Sequence, residues 1–250
     1  AALARRLDRP NATLRLGAVV REVRWERGRV EVEYRDAAGA TGRAAAPRAV
    51  ITLPLGVLQR PPGETGTVRF DPPLEAKREP LARLDMGTVV RLVLHFERIW
   101  WDERLSFLHV PESEGFPIWW TPAPLEAPYL TGWAGGPRAE RLAALGEEAL
   151  VQRAVTELAH ALGERASRVE ALLLEAFHHD WSADPFARGA YSYAVVGGSD
   201  APDLLAEPIE ETLFFAGEAT AGDGTNGTVQ GALTTGTRAA NRLLGAGGNR

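Results

Sequence analysis

The chain has 250 residues, 45% of them hydrophobic, enough to bury a sizeable core in one large domain or two smaller ones. A net charge of -5 without a basic face argues against nucleic acid as a partner, and no apolar run approaches the ~18 residues of a membrane span. The absence of cysteine excludes disulfides, thiolate metal sites, thiol catalysis and a cysteinyl-linked cofactor; a cytoplasmic location is expected.

Ala2 to Leu7 has the spacing of a helix. Leu14 and Leu16, followed by Val19, Val20 and Val23, open a strand pair. Its second member alternates Val30, Val32 and Tyr34 with Glu31, Glu33 and Arg35, and the Arg27-Gly28 step makes the hairpin. Asp36 to Gly42 is rich in turn residues. Ala49 to Leu53 is a short β-branched run ended by Pro54 and suited to a buried strand. Pro61-Pro62-Gly63 and Asp71-Pro72-Pro73 mark a change of region. A helix is then expected from Leu74 to Leu84 and a long strand from Thr88 to Phe96.

From Trp100 to Gly135, aromatics and prolines read as short strands with bends. Glu147 to Leu162 places Leu150, Val151, Ala154, Val155, Leu158 and Leu162 on one helical face. Leu172 to Phe177 and the apolar Thr212 to Ala216 are strands. Thr228 to Leu244 is a helix, with Val229, Ala232, Leu233, Gly236, Ala240 and Leu243 on its apolar side.

Gly222-Asp223-Gly224-Thr225-Asn226-Gly227 matches G-x-G-x-x-G, but a complete dinucleotide fingerprint also needs a second strand ending in an acid about 20 residues on. These residues do not supply it. What the spacing leaves is a strand, a glycine-rich loop and a helix amino-terminus, whose N–H groups and dipole suit an anionic or electron-rich ligand edge.

Around this loop, LFFAGEAT (Leu213 to Thr220) and GTVQGA (Gly227 to Ala232) resemble the closing segment of the flavin-containing amine oxidases. That family includes monoamine oxidases, polyamine oxidases and flavin-type histone lysine demethylases. AVITLPLGVL (Ala49 to Leu58), MGTVV (Met86 to Val90) and DWSADPFARGAYSY (Asp180 to Tyr193) agree with it in the same order. The resemblance covers almost the whole chain and corresponds to the family's carboxy-terminal half. The half that carries the fingerprint has no counterpart here and is the expected partner.

The fold implied is α/β: part of a discontinuous, Rossmann-like FAD-binding domain, residues 1–59 and 207–250, with a mixed-sheet α+β substrate domain, residues 60–206. The activity implied is oxidation of a small-molecule amine by hydride transfer to FAD, giving an imine and then an aldehyde. Oxygen or another acceptor reoxidises the flavin, with hydrogen peroxide as the product from oxygen. By resemblance, Gly217 is one of the cofactor-binding residues, Glu218 meets the ribityl–pyrophosphate portion, the Thr228 and Val229 N–H groups meet the pyrimidine edge of the ring, and the Val20 backbone meets the adenine. Trp181 packs on the ring. Tyr191 and Thr228 flank the substrate amine, and Trp120 lines its cavity. Ala190 stands where monoamine oxidases carry their flavin-linking cysteine, so the FAD is expected to be non-covalent.

Arg91 departs from the family's usual lysine, which holds a water against the flavin. Arginine keeps the charge but does not readily lose a proton. Lys77 is the only lysine among 28 basic residues, so the exchange at Arg91 fits a general compositional drift as well as altered oxygen reactivity. His178-His179-Asp180 lacks further ligands at metal spacing and is expected to be structural. Two other readings remain: a related flavin desaturase or isomerase, and an inactive fragment that acts as a binding module.

Overall fold

A computed structural model describes residues 12–245. The expected helix at Ala2 to Leu7 lies outside them. The chain divides into two compact units, residues 1–85 with 194–250, and residues 86–193. It leaves the first unit within β6 (Leu84–Gly87) and returns within β12 (Tyr191–Ala194).

The first unit begins with the antiparallel hairpin of β1 (Val19–Glu26) and β2 (Arg29–Arg35), closed at Arg27-Gly28 as predicted. Gly28 has φ +77°, a conformation that favours glycine, and its N–H donates to the buried Thr212 hydroxyl at 2.8 Å. The strand does not start at Leu14. Gly17 turns the chain at φ +67°, and Leu16 is exposed ahead of it. Asp36 makes the predicted turn by accepting the Ala38 and Ala40 N–H groups. The chain then returns as β3 (Thr41–Ala46) along β2. Its alanines show no alternation, so only the ladder identifies this strand. A parallel strand, β5 (Arg69–Asp71), completes the order β3-β2-β1-β5.

The run at Ala49 forms β4 (Ala49–Ile51), shorter than expected and buried fully only at Ile51. The helical turn α1 (Leu55–Leu58) follows Pro54, then α2 (Glu75–Ala82). β4 pairs in parallel with β13 (Leu213–Phe215). Leu213 and Phe215 pack with Val23, Val30, Ile51 and Val68, while Phe214 packs with Ala216 and Ala239. Successive residues of β13 thus serve two cores, as strand alternation requires.

Helix α2 explains why this unit runs on to residue 85 rather than ending near 59. The Lys77 ammonium donates to the Leu204 carbonyl at 2.9 Å and to that of Glu207, while Arg83 pairs with Asp200. These bonds tie α2 to the chain around α6 (Ala201–Ala206).

In the second unit, β7 (Val89–Phe96), β8 (Phe107–His109), β9 (Ile118–Trp120), β10 (Tyr129–Gly135) and β11 (Leu173–His178) form an antiparallel sheet. Its order is β11-β7-β10-β9-β8. One face carries Val90, Leu92, Leu94, Phe96, Trp119 and Leu130 into a core with α3 (Pro137–Ala143), α4 (Glu147–Ala161) and α5 (Ala166–Leu172). The predicted face of α4 is the buried one at Leu150, Ala154, Val155 and Leu158. The same helix turns Glu157 towards the β8–β9 connection, where it accepts the Ser113 hydroxyl and the Gly115 and Phe116 N–H groups at 2.7–3.0 Å.

Helix α7 (Val229–Gly245) ends the described chain, but its predicted face is only partly right. Gly231, Thr235 and Ala239 are buried, while Val229 and Leu233 are exposed by 78% and 50%. Close approach decides the rotation. A Cβ on Gly231 would lie 2.2 Å from the Thr225 carbonyl oxygen, so only glycine lets the helix pass there. Among the described residues, no helix is long and apolar enough to cross a membrane.

Candidate functional site

In the first unit the candidate residues gather where β13 runs into α7. The chain leaves β13 through Gly217 at φ +119°, makes a short 3-10 turn over Glu218–Thr220, and enters the glycine-rich loop. The buried Thr235 hydroxyl bonds the Gly217 carbonyl at 3.1 Å and accepts its N–H at the same distance. Arg238 donates to the Thr220 carbonyl and hydroxyl at 2.9 and 3.0 Å. The Glu218 carboxylate reaches across the loop to the Gly227 N–H at 2.7 Å. Asp223 holds the Thr225 hydroxyl and N–H, and these bonds draw its carboxyl below the usual carboxylate range.

Thr228 is the N-cap of α7. Its hydroxyl accepts the Gly231 N–H at 2.9 Å and donates to the Thr225 carbonyl at 2.6 Å. The hydroxyl is therefore committed to the cap, and what Thr228 offers a ligand is its backbone N–H. Neither that group nor the Val229 N–H has an acceptor among the described residues. Two convergent donors at the positive end of a 17-residue helix suit an electron-rich ligand edge. Val20 lies on β1, packed against the cluster that contains Leu213 and Phe215.

In the second unit, Arg91 faces Trp133 across the β7–β10 ladder, and Trp133 faces Ile118 of β9. Directly opposed residues share a face, so Arg91, Trp133 and Trp120, two positions along from Ile118, stand together on the face turned away from the helices. Arg91 is exposed and makes no ion pair or hydrogen bond among the described residues. His95 stacks on Tyr129 farther along the same face, with ring centroids 4.5 Å apart. Trp133, not among the residues singled out from sequence, also stands on this surface. The signal was the alternation of Tyr129, Thr131 and Trp133 against Leu130 and Ala134.

Trp181 and Tyr191 follow β11. Gly189 donates to the Trp181 carbonyl at 2.9 Å, and Ala190 to the Gly87 carbonyl at 3.0 Å, which sets Tyr191 with its ring against Gly87. Trp181 is 48% exposed. His178 turns its Nε2 inward, whereas His179 points out and pairs with Asp184 at 3.0 Å. Among the described residues, no group of three or more metal-ligating side chains is placed to hold an ion. A cavity of about 750 Å³ in the first unit, lined by Leu53, Val57, Val68, Phe70, Leu74 and Leu81, involves none of the candidate residues.

Comparison with known proteins places the chain in a family. The model of the family described as flavin containing amine oxidoreductase matches residues 1–244. A possible lysine-specific histone demethylase 1 of Drosophila melanogaster is 31% identical over 93% of this chain and 28% of its own length. A polyamine oxidase 3 of Oryza sativa subsp. japonica is 35% identical over 91% of the chain and 44% of its own. Among solved structures, a putrescine oxidase bound to putrescine superposes with a TM-score of 0.75 at 20% identity, over 91% of this chain and 48% of the other. A cyclohexylamine oxidase from Brevibacterium oxydans gives 0.73, also at 20% identity, over the same 91% and 48%. The chain thus spans less than half the length of each of these proteins.

Proposed function

Because the chain belongs to the flavin containing amine oxidoreductase family, we propose that it forms part of an FAD-dependent enzyme that oxidises an amine at the carbon beside its nitrogen. The observation that carries this reading is the loop at the head of α7, where the Thr228 and Val229 N–H groups lack acceptors and the Glu218–Gly227 bond fixes their direction. Such donors fit the electron-rich edge of a flavin ring without the helix having to reorganise. The flavin, when bound, supplies the acceptor for a hydride and hands the electrons on to oxygen, giving hydrogen peroxide.

The remaining roles belong to this chain's own side chains. Glu218 uses one carboxylate oxygen on Gly227, and the carboxylate's several lone pairs suit it to accept hydroxyls of the ribityl chain as well. Gly217 gives the strand a close backbone approach to the same part of the cofactor, and Val20 offers its main chain to the adenine. Trp181 presents an exposed indole to the ring. Tyr191, braced by Gly87, and Trp120 hold the alkyl part of the substrate and exclude water. Arg91 holds a water by its guanidinium. With Ala190 at the attachment position and no cysteine anywhere in the chain, the FAD is held by non-covalent contacts alone. The residues that complete dinucleotide binding lie on polypeptide outside these 250 residues. Substrates of the relatives point to an aliphatic amine, such as putrescine, a polyamine or a lysine side chain.

The amine reacts as its neutral form, so activity rises with pH through deprotonation of the substrate ammonium. The test is FAD titration followed by the change in the flavin absorbance band. Parent chain, supplied with the complementary segment, shifts the band, and Glu218→Ala weakens the binding at least tenfold. Unchanged binding in Glu218→Ala would remove the loop from the site.

A further inference from the structure

The turn between β11 and β12 is built around Asp180 and Asp184, four positions apart, beside the exposed Trp181 indole and Phe186 ring. The Asp180 carboxylate accepts the Ser182 and Ala183 N–H groups at 2.9 and 3.1 Å. Asp184 donates its own N–H to the Asp180 carbonyl at 3.1 Å, and its carbonyl accepts the Ala187 and Arg188 N–H groups. The backbone of the turn is therefore fixed without any help from His179. The Asp184 side chain does two further things. One oxygen accepts the Phe186 N–H at 2.8 Å, and the other meets His179 Nε2 at 3.0 Å. These two bonds, that of Phe186 first, hold the Asp184 carboxyl below the usual carboxylate range. The His179 ring also meets the Trp181 indole in an edge-on pair, with ring centroids 4.4 Å apart and an interplanar angle of 70°.

We propose that His179 is a positioning residue, anchored by Asp184, that selects one side-chain orientation of Trp181 and so keeps the indole face turned out to a flat ligand. The proposal rests on the reading that Trp181 borders the flavin. Three features support it. Trp181 is half exposed and its carbonyl, not its ring, is held by Gly189, so backbone contacts do not choose its rotamer. No other aromatic ring is in contact with it among the described residues. An edge-to-face pair contributes ~0.5–1.5 kcal/mol beyond burial, enough to decide between two staggered orientations of similar energy. The bond to Asp184 holds the imidazole in the one plane that meets the indole edge-on.

The test separates this idea from the flavin reading. Time-resolved fluorescence anisotropy of the chain, less that of Trp181→Phe, isolates Trp181 and needs no flavin. We expect a rigid Trp181 in the parent and a fast, large-amplitude component in His179→Ala and Asp184→Asn, at unchanged far-ultraviolet circular dichroism. His179→Phe, which keeps a ring but loses the anchor, recovers part of the rigidity. Should Asp184→Asn unfold the turn, His179→Gln alone decides. Trp181 equally rigid in parent and in His179→Ala and His179→Gln would overturn the proposal. In the FAD arm, with the complementary segment present, His179→Ala weakens binding about two- to tenfold, the equivalent of one such ring contact. Mobile Trp181 with unchanged FAD affinity would keep the ring coupling but remove its role in the site.

Discussion

On the five-stranded sheet, Arg91, Trp120 and Trp133 stand on strands whose other face is sunk among Leu92, Leu94, Phe96, Trp119 and three helices. At the head of α7, by contrast, Gly217, Glu218, Thr228 and Val229 stand on a loop stitched by single polar contacts, beside a parallel ladder of only two strands among the described residues. The first set is placed by burial, so it is lost only when the whole core is lost. The second is placed by hydrogen bonds that each contribute ~0.5–1.5 kcal/mol, so it can be dismantled one contact at a time. This suits what each is proposed to do: a wall for the substrate held by the core, and cofactor donors held in place by a few specific bonds.

The contrast breaks most visibly at Trp119, which is fully buried. Trp119→Ala should cost ~3–5 kcal/mol in urea unfolding of residues 86–193. If that variant also abolished the transition of the other unit, the two regions would not be separately held. Gly231→Ala comes next, since its Cβ would push on the Thr225 carbonyl. We expect ~1–3 kcal/mol of overpacking cost and loss of FAD binding together. Thr228→Ala should cost ~1 kcal/mol by removing the cap, and Thr228→Ser should restore it.

A pH effect sharpens the comparison further. Burial lowers the Lys77 pKa to about 8, against 10.5 for a free lysine, with Glu207 opposing the shift. Between those values the unfolded chain holds the extra proton, so the stability of the first unit should rise from pH 8 to about pH 10.5. Thermal melts of Lys77→Met should not show the rise. The smallest effect on folding is expected at Arg91, where Arg91→Lys should change stability by less than ~0.5 kcal/mol because the side chain makes no bond among the described residues. Its effect should appear instead as faster oxygen consumption by the complete enzyme. Consumption equal to or below the parent would show that Arg91 does not weaken oxygen activation.

Much of this organisation was legible in the residues. Strand β2 and helix α4 carry clear periods of two and 3.6, and in β7 the alternate residues Val90, Leu92, Leu94 and Phe96 are the buried ones, whereas the register shift between Val20 and Glu22 interrupts the pattern in β1. The loop residues Gly217 to Val229 were legible through their motif, and the motif's strand and helix context is present. What periodicity missed was decided by neighbours. β3 exists because β2 offers an edge, and α1, α3 and α5 are too short to show a period. The face of α7 was misread because the apolar Val229 and Leu233 outweigh Gly231 and Thr235 in any hydrophobic count, whereas close packing prefers the small residues. The His179–Trp181 contact also escaped the sequence, because side chains two positions apart meet only once the turn at Asp180 has been fixed.

The most direct test mixes the complete flavoprotein with an aliphatic amine under anaerobic conditions and follows the yellow band. The account predicts that putrescine or a longer polyamine bleaches it, faster as pH rises, and that Tyr191→Ala slows the bleaching at least tenfold. A band that dithionite removes but that no aliphatic amine affects would contradict amine oxidation as the reaction.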